Sequence, residues 1–72
     1  MPRLPVISGD ECIRALQKLG YQEARQVGSH VRLRCPGRPP VTVPRHKELD
    51  GGTLRQIVAD AGLTVDKIVT LL

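Results

Sequence analysis

The chain has 72 residues, 40% of them apolar, with Tyr21 as the sole aromatic and a net charge of +4. A chain this short is near the lower limit for a self-supporting core. With one aromatic ring, that core must be aliphatic, and base stacking on rings is largely excluded as a mode of nucleic-acid binding. No segment approaches the ~20 consecutive apolar residues of a membrane span. The N-terminus has no apolar run of signal-peptide length, so the expectation is a soluble, cytoplasmic protein forming a single domain over residues 1–72.

The charge is unevenly placed. Residues 1–24 sum to zero, residues 25–55 carry +5, and the remainder carries −1. Six of the seven basic residues in the middle segment are arginine (Arg25, Arg32, Arg34, Arg38, Arg45 and Arg55, with Lys47). Arginine is the side chain suited to bidentate phosphate contacts, although a basic run also serves as an ordinary solvated face.

In chain order, Ser8-Gly9-Asp10-Glu11 is a capping box, with Ser8 as the cap and Glu11 reaching back. Cys12, Ile13, Leu16 and Leu19 then recur at helical spacing and Gly20 supplies the stop, which predicts a helix over about 9–19 with Val6 and Ile7 stapling its start. Residues 21–27 are extended with weak alternation, and Gly28-Ser29 reads as a hairpin turn. From His30 the pattern is cleaner. Val31, Leu33 and Cys35 share one face, and His30, Arg32 and Arg34 the other. Pro36-Gly37-Arg38-Pro39-Pro40 breaks the strand, Val41-Thr42-Val43 resumes it, and Pro44 ends it or marks an edge.

Arg45 to Gly52 reads as a polar loop, with Gly51-Gly52-Thr53 opening a helix carried by Leu54, Ile57, Val58 and Ala61 and ended by Gly62. Thr64 caps a last short helix that packs through Val65, Ile68, Val69 and Leu72. The expected class is α+β: α-β-β-β-α, a three-stranded antiparallel meander with helices on one face and a short C-terminal helix. Cys12 and Cys35 form no metal or redox motif by spacing and read as small apolar core residues. Two histidines and two cysteines without suitable spacing make no zinc site, and no acidic cluster suits magnesium. No metal or cofactor is expected.

The element order is that of a double-stranded-RNA-binding domain, and the local sequence is narrower. Leu4-Pro5-Val6-Ile7-Ser8-Gly9, Leu16-Gln17-Lys18-Leu19-Gly20-Tyr21, Arg25-Gln26-Val27-Gly28-Ser29-His30-Val31, Val41-Thr42-Val43-Pro44-Arg45-His46-Lys47-Glu48-Leu49 and Gly52-Thr53-Leu54-Arg55-Gln56-Ile57 follow one another in that order. Together, from Leu4 to Leu72, they resemble the HicA-type mRNA interferase toxins, with the Gly28-Ser29-His30 and Val43-Pro44-Arg45-His46 blocks the most specific. The proline-rich turn at 36–40 is less typical of the pattern. The resemblance implies a double-stranded-RNA-binding-like fold, cleavage of mRNA, inhibition by a HicB-type antitoxin, and catalysis by the histidine of the first block, His30.

RNA cleavage without metal needs a proton taken from a ribose 2′-hydroxyl, charge stabilised on the phosphate and a proton given to the leaving 5′-oxygen. An imidazole titrates near neutrality and can do either proton transfer, with guanidiniums nearby holding the phosphate. Arg32 and Arg34 share the face of His30 and are the phosphate-binding candidates. Gly28 serves the turn and gives a substrate close approach, and Ser29 could donate to a phosphate. Arg45, His46 and Lys47 add to the RNA-binding footprint, and His46 is either a second proton-transfer partner or a loop cap. Two other functions use the same residues: a non-catalytic RNA-binding module of this fold, and a domain whose basic face docks an acidic protein.

Overall fold

The computed structural model describes residues 3–72, and the elements run α1 (Gly9–Gln17), β1 (Gln22–Val27), β2 (His30–Cys35), β3 (Arg38–Pro44), α2 (Gly51–Asp60) and α3 (Val65–Leu71). This is the α+β order α-β-β-β-α with a short terminal helix. The sheet is antiparallel throughout, in the order β1-β2-β3.

The start of α1 forms as its sequence dictates. Ser8 Oγ accepts from the Glu11 N–H and the Glu11 carboxylate accepts from the Ser8 N–H, both at 3.0 Å, so two of the helix's orphan donors are satisfied. The helix is two residues shorter than the spacing predicts. Its last turn tightens through Leu19 N–H to Leu16 O and Gly20 N–H to Gln17 O, as unpaired terminal carbonyls commonly do. Gly20 then takes φ +108°, and the Tyr21 N–H returns to Leu16 O at 3.2 Å. Of the predicted staple, only Ile7 is buried; Val6 is among the most exposed apolar residues.

Alternation in β2 sends Val31 and Leu33 into the core and leaves His30, Arg32 and Arg34 in solvent. Cys35 is only half-buried, at the strand's end, whereas Cys12 is fully enclosed and its thiol is pushed up to about 11 by desolvation. Both thiols are free.

The proline-rich stretch behaves differently from the break expected over 36–40. Only Pro36-Gly37 turns, with Gly37 at φ +79°, and Arg38, Pro39 and Pro40 belong to β3. The register passes from Leu33 opposite Val41 to Cys35 opposite Arg38, so Pro39 and Pro40 together face the single residue Arg34. A bulge on an edge strand is where a residue without an N–H costs no ladder bond.

Tyr21 is enclosed, and its hydroxyl donates to Pro39 O at 2.8 Å. This bond reaches from the start of β1 across to β3. Tyr21→Phe should lose about 1 kcal/mol of stability, because the carbonyl loses its partner while the ring stays packed. Urea unfolding with an unchanged m-value checks this.

The loop before α2 is less polar than it reads, since Leu49 is buried and its N–H bonds Ile7 O at 2.8 Å. The cap of α2 is Asp50: its carboxylate accepts from the Thr53 N–H at 2.7 Å and the Thr53 hydroxyl at 3.0 Å. At the other end of α2, the Arg38 guanidinium donates to Ala61 O at 3.0 Å, a cation placed on the negative end of the helix dipole. The Thr64 cap of α3 forms as expected, with Lys67 N–H on its hydroxyl at 3.1 Å. Of the four residues predicted to pack this helix, Ile68 alone is fully buried, while Val69 and Leu72 are substantially exposed. A seven-residue helix at the chain end rests on α1 and α2 along one narrow line.

Hydrogen bonds from Ser8 and Thr53, respectively, hold the Glu11 and Asp50 carboxyls below their ordinary values. A lowered folded-state pKa means that each contributes stability above its unfolded value, and that this contribution is lost as pH falls through the folded value. Thermal melts should therefore fall from roughly pH 4 downward. In Asp50→Asn that acid-dependent drop should be smaller than in the parent chain.

Candidate active site

The helices cover one face of the sheet and leave the other open. On the open face lies a concavity of about 560 Å³ lined by Ala24, Arg25, Val27, His30, Arg32, Arg34 and Thr42. His30 enters it from the first position of β2, opposite Val27 on β1 and Pro44 on β3. Arg32 sits two residues further along, opposite Arg25 and Thr42, and its Nη1 donates to Thr42 Oγ1 at 3.0 Å. Arg34 follows, opposite Gln22. The strand's period of two lines up His30, Arg32 and Arg34 at steps of ~6.6 Å. None of the side-chain hydrogen bonds among the described residues engages the His30 imidazole, which faces solvent.

Gly28 adopts φ +59° at the first central position of the β1–β2 turn, the backbone that a two-residue hairpin of this hand requires. Nothing lies within 4 Å of where its Cβ would be, so the approach to His30 from the turn is open. Gln26 Nε2 braces the turn on Gly28 O at 2.9 Å, and Ser29 O accepts from the Arg45 N–H at 2.7 Å.

The structure does not bring every candidate to this concavity. Arg45 follows β3 but turns its guanidinium to Asp10 of α1 (3.2 Å) and Glu23 of β1 (3.0 Å). It ties helix to sheet instead of pointing into the concavity. His46 is also outside the lining. Its carbonyl accepts from the Gly9 N–H at 2.9 Å, and it adds weakly to the Thr53 and Gly52 hydrogen bonds that hold the Asp50 carboxyl down. Lys47 is exposed in the same loop. Arg25 and Thr42 also line the concavity, outside the candidates read from the sequence. Thr42 was legible by parity, lying between the inward Val41 and Val43, whereas Arg25 was hidden by an irregular register. Among the described residues no group of three or more His, Cys, Asp or Glu could hold a metal ion. No described helix is long and apolar enough to cross a membrane.

This geometry defines a class: a small α+β protein with helices on one side of a three-stranded sheet and, on the other, a histidine among arginines that have no carboxylate partner among the described residues. Residues 9–63 match the family model described as the HicA toxin of bacterial toxin–antitoxin systems. The chain belongs to that family. The matched stretch begins at the first residue of α1 and ends just before α3. The chain is also similar to a solved structure, a toxin–antitoxin complex from Streptococcus pneumoniae, at 33% identity and a TM-score of 0.69, over 79% of this chain and 98% of that one. Among curated proteins no match is found.

Proposed function

We infer that this HicA-family chain is a metal-independent endoribonuclease that cleaves mRNA, with His30 as its general acid/base. The observation that carries this reading is the placement of His30 beside Arg32 and Arg34 in one solvent-open concavity on the sheet face away from the helices. In the reaction, a proton leaves the ribose 2′-hydroxyl, that oxygen bonds to phosphorus, the bond from phosphorus to the 5′-oxygen breaks, and a proton goes to the departing oxygen. The products are a 2′,3′-cyclic phosphate and a 5′-hydroxyl. His30 carries one of these transfers, and solvent water in the open concavity takes or supplies the other proton.

Arg32 and Arg34 hold backbone phosphates, with Gly28 and Ser29 leaving the turn open to the RNA strand. Lys47 and His46 extend the basic surface along the 45–50 loop. Arg45 contributes through its two carboxylate contacts, which hold that loop against α1 and β1. Its partner is an antitoxin of the HicB type, acidic where it covers the His30 face. The structural relative's occurrence in a toxin–antitoxin complex supports this pairing.

The test is direct. The purified chain, freed of any partner, is incubated with an mRNA in excess EDTA. Cleavage products ending in a 2′,3′-cyclic phosphate are expected, with binding that weakens steeply as salt rises. An RNA that is bound but stays intact identifies a non-catalytic RNA-binding module. No RNA binding at low salt leaves only a protein-docking role for the basic face.

A further inference from the structure

β1 and β2 run in one register at Gln22–Arg34 and Glu23–Leu33, then in another from Arg25–Arg32 to Val27–His30. Ala24 is the extra residue at that shift. Continuing the first register would set Ala24 against Arg32 and Arg25 against the buried Val31. A one-residue slip moves every later side chain to the opposite face, so the bulge is what turns Arg25 out onto the face of His30. Bulges re-aim side chains in this way beside functional sites.

The result is two arginines directly across the sheet from one another. Like charges in that position repel. No carboxylate pairs with either, since both ion pairs among the described residues belong to Arg45. Arg32 is held in addition by Thr42 on its other side, through Nη1, which leaves the remaining donors of its fork for a ligand. Arg25, Arg32, Thr42 and His30 line the same concavity. Two cross-strand arginines in one concavity, with no carboxylate partner among the described residues, call for an anion between them.

We propose that Arg25 and Arg32 form a clamp for a single RNA phosphodiester beside His30, with Thr42 as the positioning residue that holds Arg32 in place. The proposal rests on the reading of His30 as an RNA-cleaving group and names the phosphate on which it acts. As the 2′-oxygen bonds to phosphorus and the 5′-oxygen leaves, negative charge grows on the non-bridging oxygens. Guanidiniums neutralise it without exchanging protons, which leaves proton transfer to the imidazole and to solvent.

The test uses the full chain, a short single-stranded RNA for cleavage, and its 2′-O-methyl form, which cannot be cleaved, for binding. Arg25→Gln and Arg32→Gln should each lower kcat on the order of 10²-fold. The double variant should flatten the salt dependence of 2′-O-methyl RNA binding by about 0.7 in log–log slope, the share of one single-strand phosphate. Twice that loss would mean two separate phosphate contacts and overturn the clamp, as would full kcat in Arg25→Gln. Thr42→Val should lower kcat at constant KM, Thr42→Ser should restore it, and Thr42→Val should add nothing in the Arg32→Gln background. An additive effect there removes Thr42 from the proposal. Should the parent chain leave RNA uncut, the proposed function falls, yet the 2′-O-methyl slope still decides whether the clamp exists.

Discussion

Replacing His30 by alanine is expected to lower RNA cleavage by about 10²–10⁴-fold, the usual contribution of a positioned acid or base. Binding of uncleavable RNA should change little, because Arg25, Arg32 and Arg34 remain on the same face. The fold should be unaffected. His30 is exposed, its ring packs in no core, and its ladder bonds are main-chain, so stability should stay within about 0.5 kcal/mol of the parent. Single-turnover cleavage, RNA binding and a thermal melt on the same two samples separate the possibilities. Retained cleavage removes His30 from the chemistry. Cleavage and binding lost together, with the melt unchanged, reduce it to an RNA contact.

Gly9→Ala is expected to be strongly destabilising. A Cβ at Gly9 would lie 2.0 Å from Pro44 O and 2.9 Å from both Pro44 C and Arg45 Cα. All three are backbone atoms, so no side-chain rotation relieves the clash. Only separation of α1 from the end of β3 does, and that strains the 2.9 Å bond from Gly9 N–H to His46 O. Overpacking of this kind costs about 1–3 kcal/mol, sometimes more, against at most about 1 kcal/mol gained in helix propensity. For a domain of this size each kcal/mol moves Tm by roughly 4–8 °C.

The effect should also reach the site, because Pro44 is the cross-strand partner of His30. Gly52→Ala is the control. It too lies in a helix, but a Cβ there meets only the Asp50 carboxylate at 3.5 Å, so the substitution should be neutral or stabilising by about 0.4–1 kcal/mol. A Gly9→Ala protein that melts no lower than Gly52→Ala would show that α1 can lift away from Pro44 at no cost.

Much of the fold was legible because local rules and long-range packing agree. The capping box at Ser8–Glu11, the alternation from His30 to Cys35 and the Thr64 cap each produced the element they predict. The departures have separate causes. Pro39 and Pro40 entered β3 because β3 is an edge strand with a bulge there; a meander already makes its third strand an edge, but only the pairing with β2 shows where the bulge falls. Leu49 left its polar neighbours for the core because the segment before α1 runs alongside it. Asp50 is a better cap than either glycine after it, and its identity was there to be read.

For the site, the order of residues in the chain determined the central line. His30, Arg32 and Arg34 share a face by strand parity alone, and Gly28 precedes them where a tight turn needs a positive φ. Parity is a property of one strand and needs no partner. What lies across from that line was decided only by tertiary structure. Arg25 joined it because one extra residue at Ala24 inverted its side, and Arg45 left it because Asp10 and Glu23, distant in sequence, took its guanidinium. Register and ion pairing are relations between strands and helices, set by which backbones meet, and here they turned a basic stretch of chain into a histidine flanked by two facing arginines.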